Sequence, residues 1–112
     1  MIPPVPVQCV IAFVTAPDIE TARKIARAAL EKNLTACANI LPVIESHYWW
    51  QEKLETSSEV LIIFKTTLHQ RDALRDFVIA NHPYDVPEFV AFEIQHGSPD
   101  YLNWVRQSVG SR

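Results

Sequence analysis

Ser58-Glu-Val-Leu-Ile-Ile-Phe-Lys-Thr-Thr67 is apolar on both of its sides. In an extended chain Val60, Ile62 and Phe64 point one way, and Leu61 and Ile63 point the other. A strand with one face in water would alternate with polar residues, so this one reads as buried on both faces. The stretch before it, Ser46-His-Tyr-Trp-Trp-Gln-Glu-Lys-Leu-Glu55, reads as the tip of a long hairpin. Tyr48 and the adjacent Trp49 and Trp50 arrive on one arm, and a polar turn starts the return. On a strand the two indoles face opposite sides, so at least one is expected to pack across a subunit boundary.

Outward from this hairpin the rest of the pattern follows. Val7 to Thr15 is a second buried strand. Asp18 caps a helix over "IETARKIARAALEKN", with Ala22, Ile25, Ala26, Ala29 and Leu30 inward. Two strand pieces, 36–41 and 43–50, meet at a bend set by Pro42, which cannot donate to a ladder. "HQRDALRDFVIANHP" is a helix with Leu74, Phe77 and Val78 inward, stopped at His82 by Pro83. "PEFVAFEIQ" is the last core strand. Ser98 and Pro99 open a short helix whose apolar stripe is Tyr101, Trp104 and Val105.

The order β-α-β-β-α-β plus a C-terminal helix is the α+β, ferredoxin-like split βαβ pattern with an antiparallel sheet. Two helices cover one face. The other face lacks a cover within the chain, which predicts burial by other copies. One domain is expected over 1–112, with its core at about 7–107.

Composition narrows the function. Of 112 residues 48% are hydrophobic and 21% charged, and the net charge is −3, which gives no basic surface for nucleic acid or an anionic membrane. "MIPPVPVQCV" lacks a basic start and a long apolar run, so neither a signal peptide nor a membrane span is expected, and a cytoplasmic location is. Cys9 and Cys37 read as buried, reduced thiols. Gly97 and Gly110 are the two glycines, too few for a phosphate-cradling loop. No nucleophile signature is present, so the chain reads as a non-enzyme.

"VTAPD", "ACANILP", "SHYWWQEKLE", "EVLIIFKTT", "HPYDVPE" and "DYLNWV" occur in the order seen in the CutA divalent-cation tolerance family, which the chain resembles over about residues 9–106. That resemblance implies a homotrimer similar in architecture to the PII signalling proteins. It also implies a role in tolerance of divalent metals, copper among them, with weak metal binding at intersubunit clefts and no obligatory cofactor. The alternative is a PII-like regulatory or scaffold module that binds a small molecule or a protein partner.

The stretch from His82 to Glu88 concentrates an imidazole, a phenol and two carboxylates on a loop stiffened by Pro83 and Pro87. Some family members place a cysteine late in the first strand and two histidines before the proline, a copper-like set. The matching positions here hold Val14, Asn81 and His82. His82 is the retained candidate ligand, and Glu88 is the nearest carboxylate able to assist it. Lys65, Tyr84 and Trp50 are candidates for lining a ligand cleft. Tyr48, Trp49, Trp50 and Trp104 are candidates for the trimer interface.

Overall fold

The computed structural model describes residues 5–110; the ends of the expected 1–112 domain lie outside the described residues. Seven elements run in the order β1 (Cys9–Ala16), α1 (Ile19–Glu31), β2 (Cys37–Trp50), β3 (Lys53–Thr67), α2 (Leu68–Asn81), β4 (Val90–Glu93) and α3 (Pro99–Ser108). The four strands form one antiparallel sheet in the order β2-β3-β1-β4. This is the split βαβ arrangement expected from the sequence, with the two apolar strands in the centre.

α1 starts where Asp18 Oδ1 accepts from the Thr21 amide at 2.7 Å, a bond that also holds the Asp18 carboxyl below its ordinary range. It ends where Asn33 takes a left-handed φ of 59° and Leu34 N–H returns to the Ala29 carbonyl. Ala22, Ile25, Ala26 and Ala29 are buried as expected, but Leu30 is 37% exposed because the helix stops one residue later. α2 buries Leu74 and Val78 and ends at Asn81, before the His82–Pro83 pair. Both helices lie on the side of the sheet carrying Ala12, Val14, Ile62 and Phe64, each 0% exposed.

The opposite face carries Ile11, Phe13, Leu61 and Ile63, all half-buried, and Phe92, 48% exposed. Contrary to the expectation of a face without cover, part of it is covered by the chain itself. α3 packs over the end where β1 begins and β3 finishes. There the Cys9 thiol donates to the Leu102 carbonyl at 3.6 Å, and Arg106 Nε donates to the Val7 carbonyl at 2.7 Å. Cys9 is 1% exposed, and burial pushes its thiol pKa up. Cys37 is half-buried rather than buried, because its side chain meets Asn39 and Tyr101 at the rim. Ser98 occupies the N-cap position of α3 but makes no side-chain cap bond; its carbonyl accepts from Leu102 N–H.

Two strand boundaries differ from expectation. β4 is four residues long and mostly exposed, not a core strand over 87–95. It pairs only with β1, whose ladder runs out at Cys9, where the last bond is Ile94 N–H to the Cys9 carbonyl. β2 runs unbroken through Pro42, which sits in a bulge: Leu41 opposes Leu61, whereas Ile44 opposes Glu59. Beyond the bulge the β2–β3 hairpin projects past the rest of the sheet, and the chain measures 58 × 26 × 21 Å. Its tip is a two-residue turn in which Gln51 and Glu52 both have positive φ, the geometry of a type I′ turn.

Candidate functional site

A groove of about 990 Å³ lies between the hairpin and the loop that follows α2. Its lining includes four aromatic residues, Tyr48, Trp49 and Trp50 on β2 and Tyr84 on the loop. Five carboxylates line it: Glu45, Glu55, Glu59, Asp85 and Glu88. Neither lysine nor arginine does. Thr15, Ser46, His47, Pro83 and Val86 complete the lining.

The loop owes its position to His82. The Nε2–H donates to the Thr15 carbonyl at 2.7 Å, and Nδ1 accepts from the Tyr84 amide at 3.1 Å. The partners dictate the tautomer, since a carbonyl accepts only from an N–H and an amide donates only to a lone pair. The imidazole ring then lies 4.7 Å from that of Tyr84. Tyr84 in turn donates its hydroxyl to Glu59 Oε2 at 2.8 Å. Burial and the Glu59 charge push the Tyr84 phenol far above its ordinary range, so it remains a hydrogen-bond donor. Glu88, on the groove rim, has its carboxyl pushed up by burial and by the Glu59 charge. Across the groove, His47 Nε2 meets Glu45 Oε2 at 2.8 Å, and Thr56 Oγ1 meets His47 Nδ1 at 3.1 Å.

The residues of the copper-like set do not come together. Val14 is sealed in the core under the helices. Asn81 donates its side-chain amide to the Phe77 carbonyl at 2.8 Å. His82 has both ring nitrogens engaged with backbone, so a metal there must first displace one of those bonds. Among the described residues no group of three or more His, Cys, Asp or Glu is placed to hold a metal ion. The donor set of the described residues does not fit a tightly held resident metal.

Of the cleft candidates, Tyr84 and Trp50 line the groove and Lys65 does not. Lys65 is six residues further along β3 from Glu59. Its Nζ donates to Asn39 Oδ1 at 2.8 Å and lies 5.9 Å from the centre of the Tyr101 ring. Tyr48, Trp49 and Trp50 sit together on the hairpin, 40%, 73% and 41% exposed. Trp104 is on α3, its ring 5.5 Å from that of Tyr101. Sequence reasoning missed Glu59, Glu55 and Glu45. The signal was present: counted from a two-residue turn at Gln51–Glu52, Glu55 and Glu59 share a side with Tyr48 and Trp50.

The family model described as CutA1 divalent ion tolerance protein matches residues 10–108. Protein CutA of Mus musculus is 47% identical over 89% of this chain and 56% of its own length. The divalent-cation tolerance protein CutA of Thermus thermophilus is 43% identical over 89% of this chain and 97% of its own. The crystal structure of CutA1 from Oryza sativa superposes with a TM-score of 0.90 at 42% identity, covering 95% of this chain and 97% of that one. The chain therefore spans about half the length of the mouse protein and nearly all of the bacterial one.

Proposed function

The chain belongs to the CutA1 divalent ion tolerance protein family, and on that premise we propose that it serves divalent-cation tolerance as a homotrimer whose grooves gather cations weakly. The observation that carries the cation reading is the groove lining, with five carboxylates and neither lysine nor arginine. Oxygen donors on a partly solvated surface suit divalent ions, Cu(II) included, better than Cu(I), which prefers sulfur. The trimer, PII-like in architecture, is supported by the half-open apolar face of the sheet and by exposed Trp49 and Leu54 on the hairpin. Tyr48, Trp49, Trp50 and Trp104 are its proposed contact residues, which makes each groove a cleft at a subunit boundary. A cytoplasmic location is proposed with it, as two cysteines left free are at home in a reducing compartment; cell fractionation tests it.

Titration calorimetry with Cu(II) on three proteins tests the metal reading. Wild type and His82→Ala are expected to give equal isotherms, and the Glu59→Gln/Asp85→Asn/Glu88→Gln triple variant a weaker one. A selective loss in His82→Ala would instead make His82 and Glu88 the ligand pair. An unchanged triple variant would remove the groove from the cation reading. A second reading, a PII-like module for a small molecule, is favoured by the groove's size and aromatic lining, which exceed what a bare ion requires.

A further inference from the structure

Followed outward along β3, the open face of the sheet turns from apolar to acidic. Ile63 and Leu61 give way to Glu59, Ser57 and Glu55, at alternate positions and so on one side of the strand. Tyr48 lies directly across from Glu55, and Trp50 follows on the same side across from Lys53, which is exposed at the tip and outside the groove lining. Four residues of extended chain separate Glu55 from Glu59, roughly 13 Å.

Glu59 is only 8% exposed. One carboxylate oxygen accepts from Tyr84; the other has no hydrogen-bond partner among the described residues. Among those residues no fully buried side-chain oxygen lacks a partner, so this one opens on the groove. A glutamate set this deep, with no lysine or arginine paired to it among the described residues, gains by pairing with a cationic ligand.

A bare metal ion makes no use of aromatic rings or of two carboxylates so far apart, whereas a linear organic dication uses both. Its ammonium groups pair with the carboxylates, its methylene chain runs past Ser46 toward the ring of Tyr48, and Trp50 flanks the Glu55 end, where cation–π attraction adds to burial. We infer that the groove binds linear diamines and polyamines, one ammonium at Glu59 beneath Tyr84 and another at Glu55 beside Tyr48. This rests on the cation reading of the groove proposed above and names the class of cation.

The test titrates the full chain, in buffer of physiological ionic strength, with spermidine, 1,4-diaminobutane, butylamine and Cu(II). Heat and tryptophan fluorescence are the readouts. Spermidine is expected to bind more tightly than 1,4-diaminobutane, which is too short to bridge the pair, and butylamine to bind least. Glu59→Gln and Glu55→Gln are each expected to weaken spermidine about tenfold or more, the worth of a charge-assisted hydrogen bond. Glu59→Gln keeps a side-chain oxygen for the Tyr84 hydroxyl. Asp100→Asn, on α3, should change nothing. Equal binding of spermidine and butylamine, or Gln variants that behave like Asp100→Asn, would show mere attraction to an acidic chain and overturn the inference. Cu(II) binding to the groove without spermidine binding would overturn it and leave the cation reading standing. Loss of both would remove both.

Discussion

The two sides of β3 have opposite fates. Val60, Ile62, Phe64 and Thr66 are sealed beneath α1 and α2, with Thr66 donating its hydroxyl to the Leu34 carbonyl at 2.7 Å. Leu61 and Ile63, one peptide away from them, are only half-buried, and the same side then runs on into Ser57, Glu55 and the charged Glu59. One strand thus carries a finished core on one side and an unfinished surface on the other. The difference teaches where the chain's own packing stops: it seals one face by itself and leaves the other half-open.

The sharpest way to break this comparison is a pair of phenylalanines. Phe64→Ala on the sealed side is expected to cost about 3–5 kcal/mol in chemical denaturation, at any protein concentration. Phe13→Ala, on the open side, should cost less in a dilute sample and approach that figure as concentration rises, if other copies cover it. Equal, concentration-independent losses would mean that the two faces do not differ. Next, Phe92→Glu places a charge on the open face opposite Ile11. Sedimentation equilibrium is expected to show a trimer for the wild type and a smaller species for the variant. A monomeric wild type would leave the half-open face unexplained by self-association.

A smaller effect is expected at the acidic end. Tyr84→Phe removes the hydroxyl from Glu59 and leaves that buried carboxylate without its donor among the described residues, at a cost of about 1.5–3 kcal/mol by thermal or urea unfolding. An unchanged midpoint would show that water replaces the phenol freely. The smallest effect is a pH slope. The Glu88 carboxyl is raised in the folded protein, so the folded state holds its proton more tightly than the unfolded one. Its stabilising contribution is present below the ordinary glutamate pKa and is lost as pH rises through the folded value. Glu88→Gln should therefore flatten the stability profile just above that ordinary value. A wild-type slope retained in the variant would show that the Glu88 carboxyl is not its source.

Much of this division was legible in the sequence. The two-sided apolar run at Val60–Phe64, the Asp18 cap and the His82–Pro83 stop each carry a local physical signal, and the elements fall where those signals put them. The short β4 was not legible, because it finishes where the β1 ladder runs out at Cys9, which its own residues do not signal. The half-cover by α3 was hidden for a similar reason: Tyr101, Trp104 and Val105 mark an apolar stripe without saying which surface receives it. The loop's chemistry was read in part. Tyr84 and Glu88 reach the groove, but His82 has a structural task visible only when Thr15, 67 residues away, is beside it. The acidic partners on β3 depended on counting through the turn, and a turn built without glycine gives that count little help.

The bulge at Pro42–Val43 separates two properties of the hairpin that are normally tied together. Strict alternation along β2 would pair odd-numbered residues with the open side throughout, as Cys37, Asn39 and Leu41 do. After the extra residue the parity changes, and Tyr48 and Trp50 take that side instead of Trp49. Deleting Val43 would restore an unbroken count and still leave Ile44 to Trp50 opposite the same β3 partners, because the turn anchors them from the far end. What the deletion would remove is the corner, the local bend and added twist that a bulge imposes. The arm would display the same side chains in a different direction. Content and aim are therefore encoded by different residues, and a lineage could re-point this arm toward a new neighbour without rewriting what it carries.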